Sequence, residues 1–122
     1  MTKSPYPHFS ESEFQRCSPA CYWSDMSAAF MKRLERFREI VACPVYLNSA
    51  FRSSAYEIQH GRTGSSMHTF GRAVDIRCRS NQERLKFIRA AIECGFNGIG
   101  IGYNYIHLDD RDDCMNPCMW LY

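Results

Sequence analysis

Apolar residues Met26, Phe30, Leu34, Phe37 and Val41 recur every three or four positions through the stretch SDMSAAFMKRLERFREIVA. That spacing is one face of an α-helix. Ser24 or Asp25 is placed to cap its start and Pro44 to stop it, while Lys32, Arg33, Glu35 and Arg36 supply a charged outer face. A short strand, VYLNS, follows, and then a loop rich in glycine and serine, AFRSSAYEIQHGRTGSSMH. In RAVDIRC the period changes to two. A second helix opens with Ser80 and Glu83 as a capping box and is expected to bury Leu85, Ile88 and Ile92, with Gly95 just past its end. GIGIG and YIHLDD then read as two strands joined by a turn around Tyr103 and Asn104.

Alternation sorts the strand side chains into two sets. Val74, Ile76 and Cys78 share one face of their strand, and Ala73, Asp75 and Arg77 the other. In the last strand Ile106 and Leu108 face one way, and Tyr105, His107 and Asp109 the other. Asp75 and His107 thus both lie opposite the core-facing residues. The expected class is α+β, with helices packed on one face of a small, mostly antiparallel sheet and polar groups on the other. Residues 1–122 are expected to form a single domain, since a chain of 122 residues leaves no room for a second core.

Composition narrows the function classes. Net charge is +2 and the basic residues are scattered, so no nucleic-acid partner is expected. The apolar runs are too short to cross a bilayer, so no membrane insertion is expected either. The opening MTKSPYPHFSESEF has no apolar core of a secretory signal. Seven cysteines, an odd number, point to thiols kept reduced in a cytoplasm at synthesis. Cys17/Cys21 and Cys114/Cys118 share a C-x-x-x-C spacing, which leaves open disulfides, a four-thiolate zinc site or simple burial.

The candidate chemistry lies in SSMHTFGRAVDI and YIHLDD. If the two strands are neighbours, Asp75 and His107 converge and His68 arrives from the preceding loop. Two imidazoles and a carboxylate make a suitable shell for zinc with an open position. By residue type and spacing alone, a turn-capping His68, an Asp75 paired with arginine and a half-buried His107 fit equally well.

Ser66, His68, Gly71, Ala73 and Asp75 stand as S-x-H-x-x-G-x-A-x-D, followed by His107 in IHLDDR. This resembles the zinc D-alanyl-D-alanine carboxypeptidase family of peptidoglycan peptidases, especially its small stand-alone phage and bacterial members. HFSESEFQRCS, the amphipathic helix, PVYLNSAFRSSAYE and GFNGIGIGYNYIHLDDR come in the family's order and span most of the chain. The resemblance implies Zn2+ held by His68, Asp75 and His107, and a hedgehog-like fold. It implies Arg52 as the group that binds substrate carboxylate or stabilises an oxyanion, and Ser66 as a substrate or supporting contact. It further implies a peptidoglycan stem peptide as substrate, cut by a carboxypeptidase or endopeptidase, and a phage-encoded, wall-degrading product. Such a product would be monomeric, made in the bacterial host cytoplasm and active on the wall.

Well-known members place an acidic residue or histidine two or three positions before the last ligand, to act as general base. Here Tyr105 and Asn104 stand there. Alternation nominates Asp109 as the base or the orienter of water, with Glu57 and His60 next, and Tyr105 as a hydrogen-bond donor to substrate. The gap keeps a second class in view, a non-catalytic zinc-containing module of the hedgehog type that binds wall peptides or proteins.

Overall fold

The computed structural model describes residues 3–111 and 117–122. In chain order it contains helix α1 (Glu11–Gln15), helix α2 (Ala28–Val41), strand β1 (Leu47–Ser49), helix α3 (Ser54–Gln59), strand β2 (Ala73–Arg77), helix α4 (Asn81–Cys94) and strands β3 (Gly98–Ile101), β4 (Tyr105–Asp109) and β5 (Cys118–Leu121). The strands form one sheet in the order β1-β2-β4-β3-β5. β1, β2, β4 and β3 pair antiparallel in succession, whereas β5 runs parallel to β3. The class is α+β with a mixed sheet.

The core lies on one side of that sheet. Val74 and Ile76 of β2, and Ile106 and Leu108 of β4, are fully buried against Phe30, Leu34 and Phe37 of α2 and Phe87 of α4. Phe37 packs against Phe87 and Phe96 with ring centroids 5.8 and 6.1 Å apart. Each large apolar side chain so buried contributes about 1.5–3 kcal/mol.

Both long helices differ in detail from expectation. The residues around Ser24 and Asp25 form a 3-10 turn, and Ser27 caps α2 instead, accepting from the Phe30 amide at 3.3 Å. The helix ends on Ala42 in the left-handed region, before Pro44 is reached. In α4 the buried residues are Phe87, Ala90, Ala91 and Cys94, while Leu85 and Ile92 are 51% and 61% exposed and Ile88 is only partly buried. Small alanines on the inner face let α4 approach α2 closely, and the bulkier aliphatics are left outside. Ser80 caps α4 as expected, but the Glu83 carboxylate returns its bond to the Arg79 amide rather than to Ser80.

Among the described residues the cysteines do not converge on a metal. Cys17 and Cys21 are buried, with Cys17 Sγ 3.9 Å from the Leu47 carbonyl on β1, whereas the exposed Cys118 lies on β5. β1 and β5 are the opposite edges of the sheet, about 19 Å apart at the usual strand spacing. Cys114 lies outside the described residues.

Candidate metal centre

Asp75 and His107 are direct partners across the β2–β4 ladder. With Val74, Ile76, Ile106 and Leu108 turned into the core, strand alternation sends both polar side chains to the opposite face. His107 Nδ1 stands 3.0 Å from Asp75 Oδ1. His68 reaches the same oxygen from a 3-10 turn, Met67–Phe70, with Nε2 at 3.3 Å. That turn is fixed by Gly71, whose φ of 69° and close packing on Met26 and Ser27 exclude a side chain. The Gly71 carbonyl accepts from the Ser27 amide at 2.9 Å, tying the turn to the start of α2.

The outer nitrogen of each imidazole is committed. His68 Nδ1 donates to the Ala50 carbonyl at 2.6 Å, and His107 Nε2 meets Asp109 Oδ2 at 2.7 Å. Fixing the proton on the outer nitrogen turns the inner lone pair toward the third ligand, as metal-binding histidines require. His68 Nε2 is buried and has no hydrogen-bond partner among the described residues. One ligand atom from each of His68, Asp75 and His107 lies within 4.8 Å of the others. Geometry and donor set fit a divalent ion of the zinc type, with the His₂Asp shell leaving a position open.

Charge follows the same plan. Burial pushes the Asp75 carboxyl up, but the facing imidazoles of His107 and His68 outweigh it and hold the group well below the usual carboxylate range. Burial lowers His107, and the carboxylates of Asp109 and Asp75 more than reverse that. Asp109 is fully buried and clamped by Arg111, with Nε to Oδ1 at 2.9 Å and Nη2 to Oδ2 at 2.8 Å. Against burial, that clamp and His107 keep it ionised.

A cavity of about 350 Å³ opens over this cluster. Arg52 lines it, with Nη2 3.0 Å from Asp75 Oδ2, Nη1 3.8 Å from Glu57 Oε1 and a buried Nε that has no partner among the described residues. Ser66 donates to Glu57 Oε1 at 2.8 Å, so its hydroxyl braces Glu57 rather than His68. Glu57 is 1% exposed and also takes a bond from Arg62 at 2.9 Å. Tyr105 lines the cavity, but His60 is exposed, stacks on Tyr56 at 4.0 Å and does not.

A family model for peptidase M15 matches residues 7–109. The chain belongs to the peptidase M15 family. Its candidate ligands all fall inside the matched span, and peptidases of this family are zinc-dependent, which suits a His68–Asp75–His107 cluster able to hold a metal ion. No curated protein matches the chain. No helix among the described residues of this M15 peptidase is long and apolar enough to cross a membrane.

The Asp109–Arg111 ion pair, which the sequence offers as the alternative to Asp109 acting as base, is formed. Sequence reasoning missed two groups that the structure brings to the cavity, Trp120 and Tyr122, which arrive at the end of β5. Trp120 stands 5.4 Å from His107, centroid to centroid. The signal for them was GIGIG, in which Gly98 and Gly100 fall on the metal-side face of β3 and leave it bare.

Proposed function

We propose that this M15 peptidase is a zinc-dependent hydrolase of peptide bonds in peptidoglycan stem peptides, acting as a carboxypeptidase or endopeptidase. The observation that carries the proposal is the buried, unpartnered His68 Nε2 turned toward Asp75 and His107, each imidazole tethered at its other nitrogen. The α+β frame is then of the zinc D-Ala-D-Ala peptidase and hedgehog type. The protein would be phage-encoded and monomeric, made in the host cytoplasm and active on the wall.

His68, Asp75 and His107 would hold the ion. When bound, zinc supplies Lewis acidity, polarising the scissile carbonyl and making a water nucleophilic near neutral pH. Arg52 offers a rigid fork of donors at the cavity wall, suited to a substrate carboxylate or to charge developing on the carbonyl oxygen. Tyr105 is a further donor to the substrate.

Asp109 serves the reaction through His107. Its carboxylate faces the ring's Nε2, while Asp75 faces Nδ1, so the imidazole separates Asp109 from the ligand cluster. Proton transfer is assigned instead to Glu57, the remaining carboxylate lining the cavity. The proton taken from attacking water would be held at Oε1, the oxygen that Ser66 and Arg52 face, and returned to the leaving amine.

Digestion of purified peptidoglycan with mass analysis of the fragments tests the reading. Shortened stem peptides or cut cross-links should appear, vanish on chelation and return with zinc. Intact peptidoglycan after treatment with zinc-loaded protein, together with retained binding to it, would instead favour a non-catalytic wall-binding module.

A further inference from the structure

The face of β3 beside the metal cluster carries no side chains. Gly98 pairs with Asp109 and Gly100 with His107, while Ile99 sits in the core. Neighbouring side chains lie down over this bare strip. A Cβ on Gly98 would collide with the Asp109 carboxylate, and one on Gly100 would fall 2.7 Å from the Tyr122 ring and 2.8 Å from the Trp120 indole nitrogen. Close approach of these groups therefore requires glycine at both positions.

What lies over the strip is a connected set of aromatic rings. Trp120 is 5.4 Å from His107 and 6.2 Å from Tyr122, and Tyr122 is 5.3 Å from Tyr105, centroid to centroid. The Arg111 guanidinium covers the Trp120 ring at 4.9 Å. Tyr122 borders both the metal cavity and a neighbouring groove of about 910 Å³, and it is 67% exposed. Burial raises the Tyr122 phenol, and the charge of Asp75 adds to this. β5 lies beyond the residues matched by the family model.

We propose that Trp120 and Tyr122, with Tyr105, form a substrate platform: the peptide segment on one side of the scissile bond lies against these rings as it leaves the metal cavity. This rests on the peptidase reading. Flat aromatic faces bury the aliphatic and amide surface of a peptide with little loss of side-chain freedom, and the phenol groups can bond to its carbonyls. Trp120 and Tyr122 are thus specificity-determining residues contributed from outside the residues matched by the family model, and they set the length of peptide preferred.

Steady-state kinetics on a five-residue stem peptide and on its terminal dipeptide, with zinc content and melting temperature measured in parallel, test this. Trp120→Ala should raise KM for the longer peptide by about ten- to a hundredfold, a clearly larger factor than for the dipeptide, and keep zinc bound. Trp120→Phe should recover most of the loss. Gly100→Ala, which keeps both rings but displaces them, should reproduce it and serves as the test if Trp120→Ala does not fold. An unchanged KM for the longer peptide in a folded variant overturns the platform. If the parent protein cleaves nothing, Trp120 fluorescence in a Trp23→Phe background still decides. A change on titrating the longer peptide supports the platform while the peptidase reading fails, and no change overturns both.

Discussion

Asp109 and His107 meet through Oδ2 and Nε2 at 2.7 Å, at the ring nitrogen that does not face Asp75. A carboxylate so placed fixes the tautomer and strengthens the other nitrogen as a donor to metal. Asp109→Asn should weaken zinc affinity by about 10–100-fold, and excess zinc should restore much of the activity. Competition with a chelator of known strength measures the first, and a zinc titration of activity the second. Unchanged affinity together with a large loss of rate at saturating zinc would return Asp109 to the role of proton acceptor.

Glu57→Gln should behave in the opposite way. Zinc content stays normal, because Glu57 is outside the ligand set, and the rate at saturating zinc falls by about 10²–10⁴, the usual contribution of a positioned acid–base group. A native rate in Glu57→Gln would remove it from the mechanism.

Arg52→Lys keeps the charge but loses the planar fork that reaches Asp75 and Glu57 together. Activity should fall at least about tenfold with zinc content unchanged. Equal kcat/KM in parent and variant would make Arg52 a bystander.

Glu57 also shapes acid stability. Burial pushes its carboxyl up, but Ser66, Arg52 and Arg62 outweigh this and hold it below the ordinary value. Its contribution is therefore fully present above the unfolded value of about 4.3 and is lost as pH falls from there through the folded one. Urea midpoints should decline below about pH 4 more steeply in the parent than in Glu57→Gln. Parallel declines would show that the group is unperturbed.

Thiol labelling separates the cysteines. Cys118 is exposed and should react rapidly in the native protein, whereas Cys17, Cys21, Cys78 and Cys94 are buried and should react only on unfolding. Loss of zinc or of fold on labelling Cys118 alone would revive a cysteine-held metal.

Much of this site was legible because strand alternation is strict. Once Val74, Ile76, Ile106 and Leu108 are assigned to the core, Asp75 and His107 have one side left to face. Helix α4 was less legible, since Leu85, Ile88 and Ile92 and the set Phe87, Ala90, Ala91 and Cys94 both satisfy helical spacing, and only packing chooses between them. β5 escaped because a short edge strand in parallel pairing owes its place to β3 rather than to its own pattern. The roles of Asp109 and Ser66 depend on which atom faces which, and spacing carries no such information: their partners are His107 with Arg111, and Glu57.

Elemental analysis of the parent protein and of His107→Ala, after loosely held metal is dialysed away, tests the central claim most directly. The site assigned to His68, Asp75 and His107 predicts about one zinc per chain in the parent, and its loss in a variant that lacks one of three protein ligands. Full stoichiometric zinc in folded His107→Ala would contradict it.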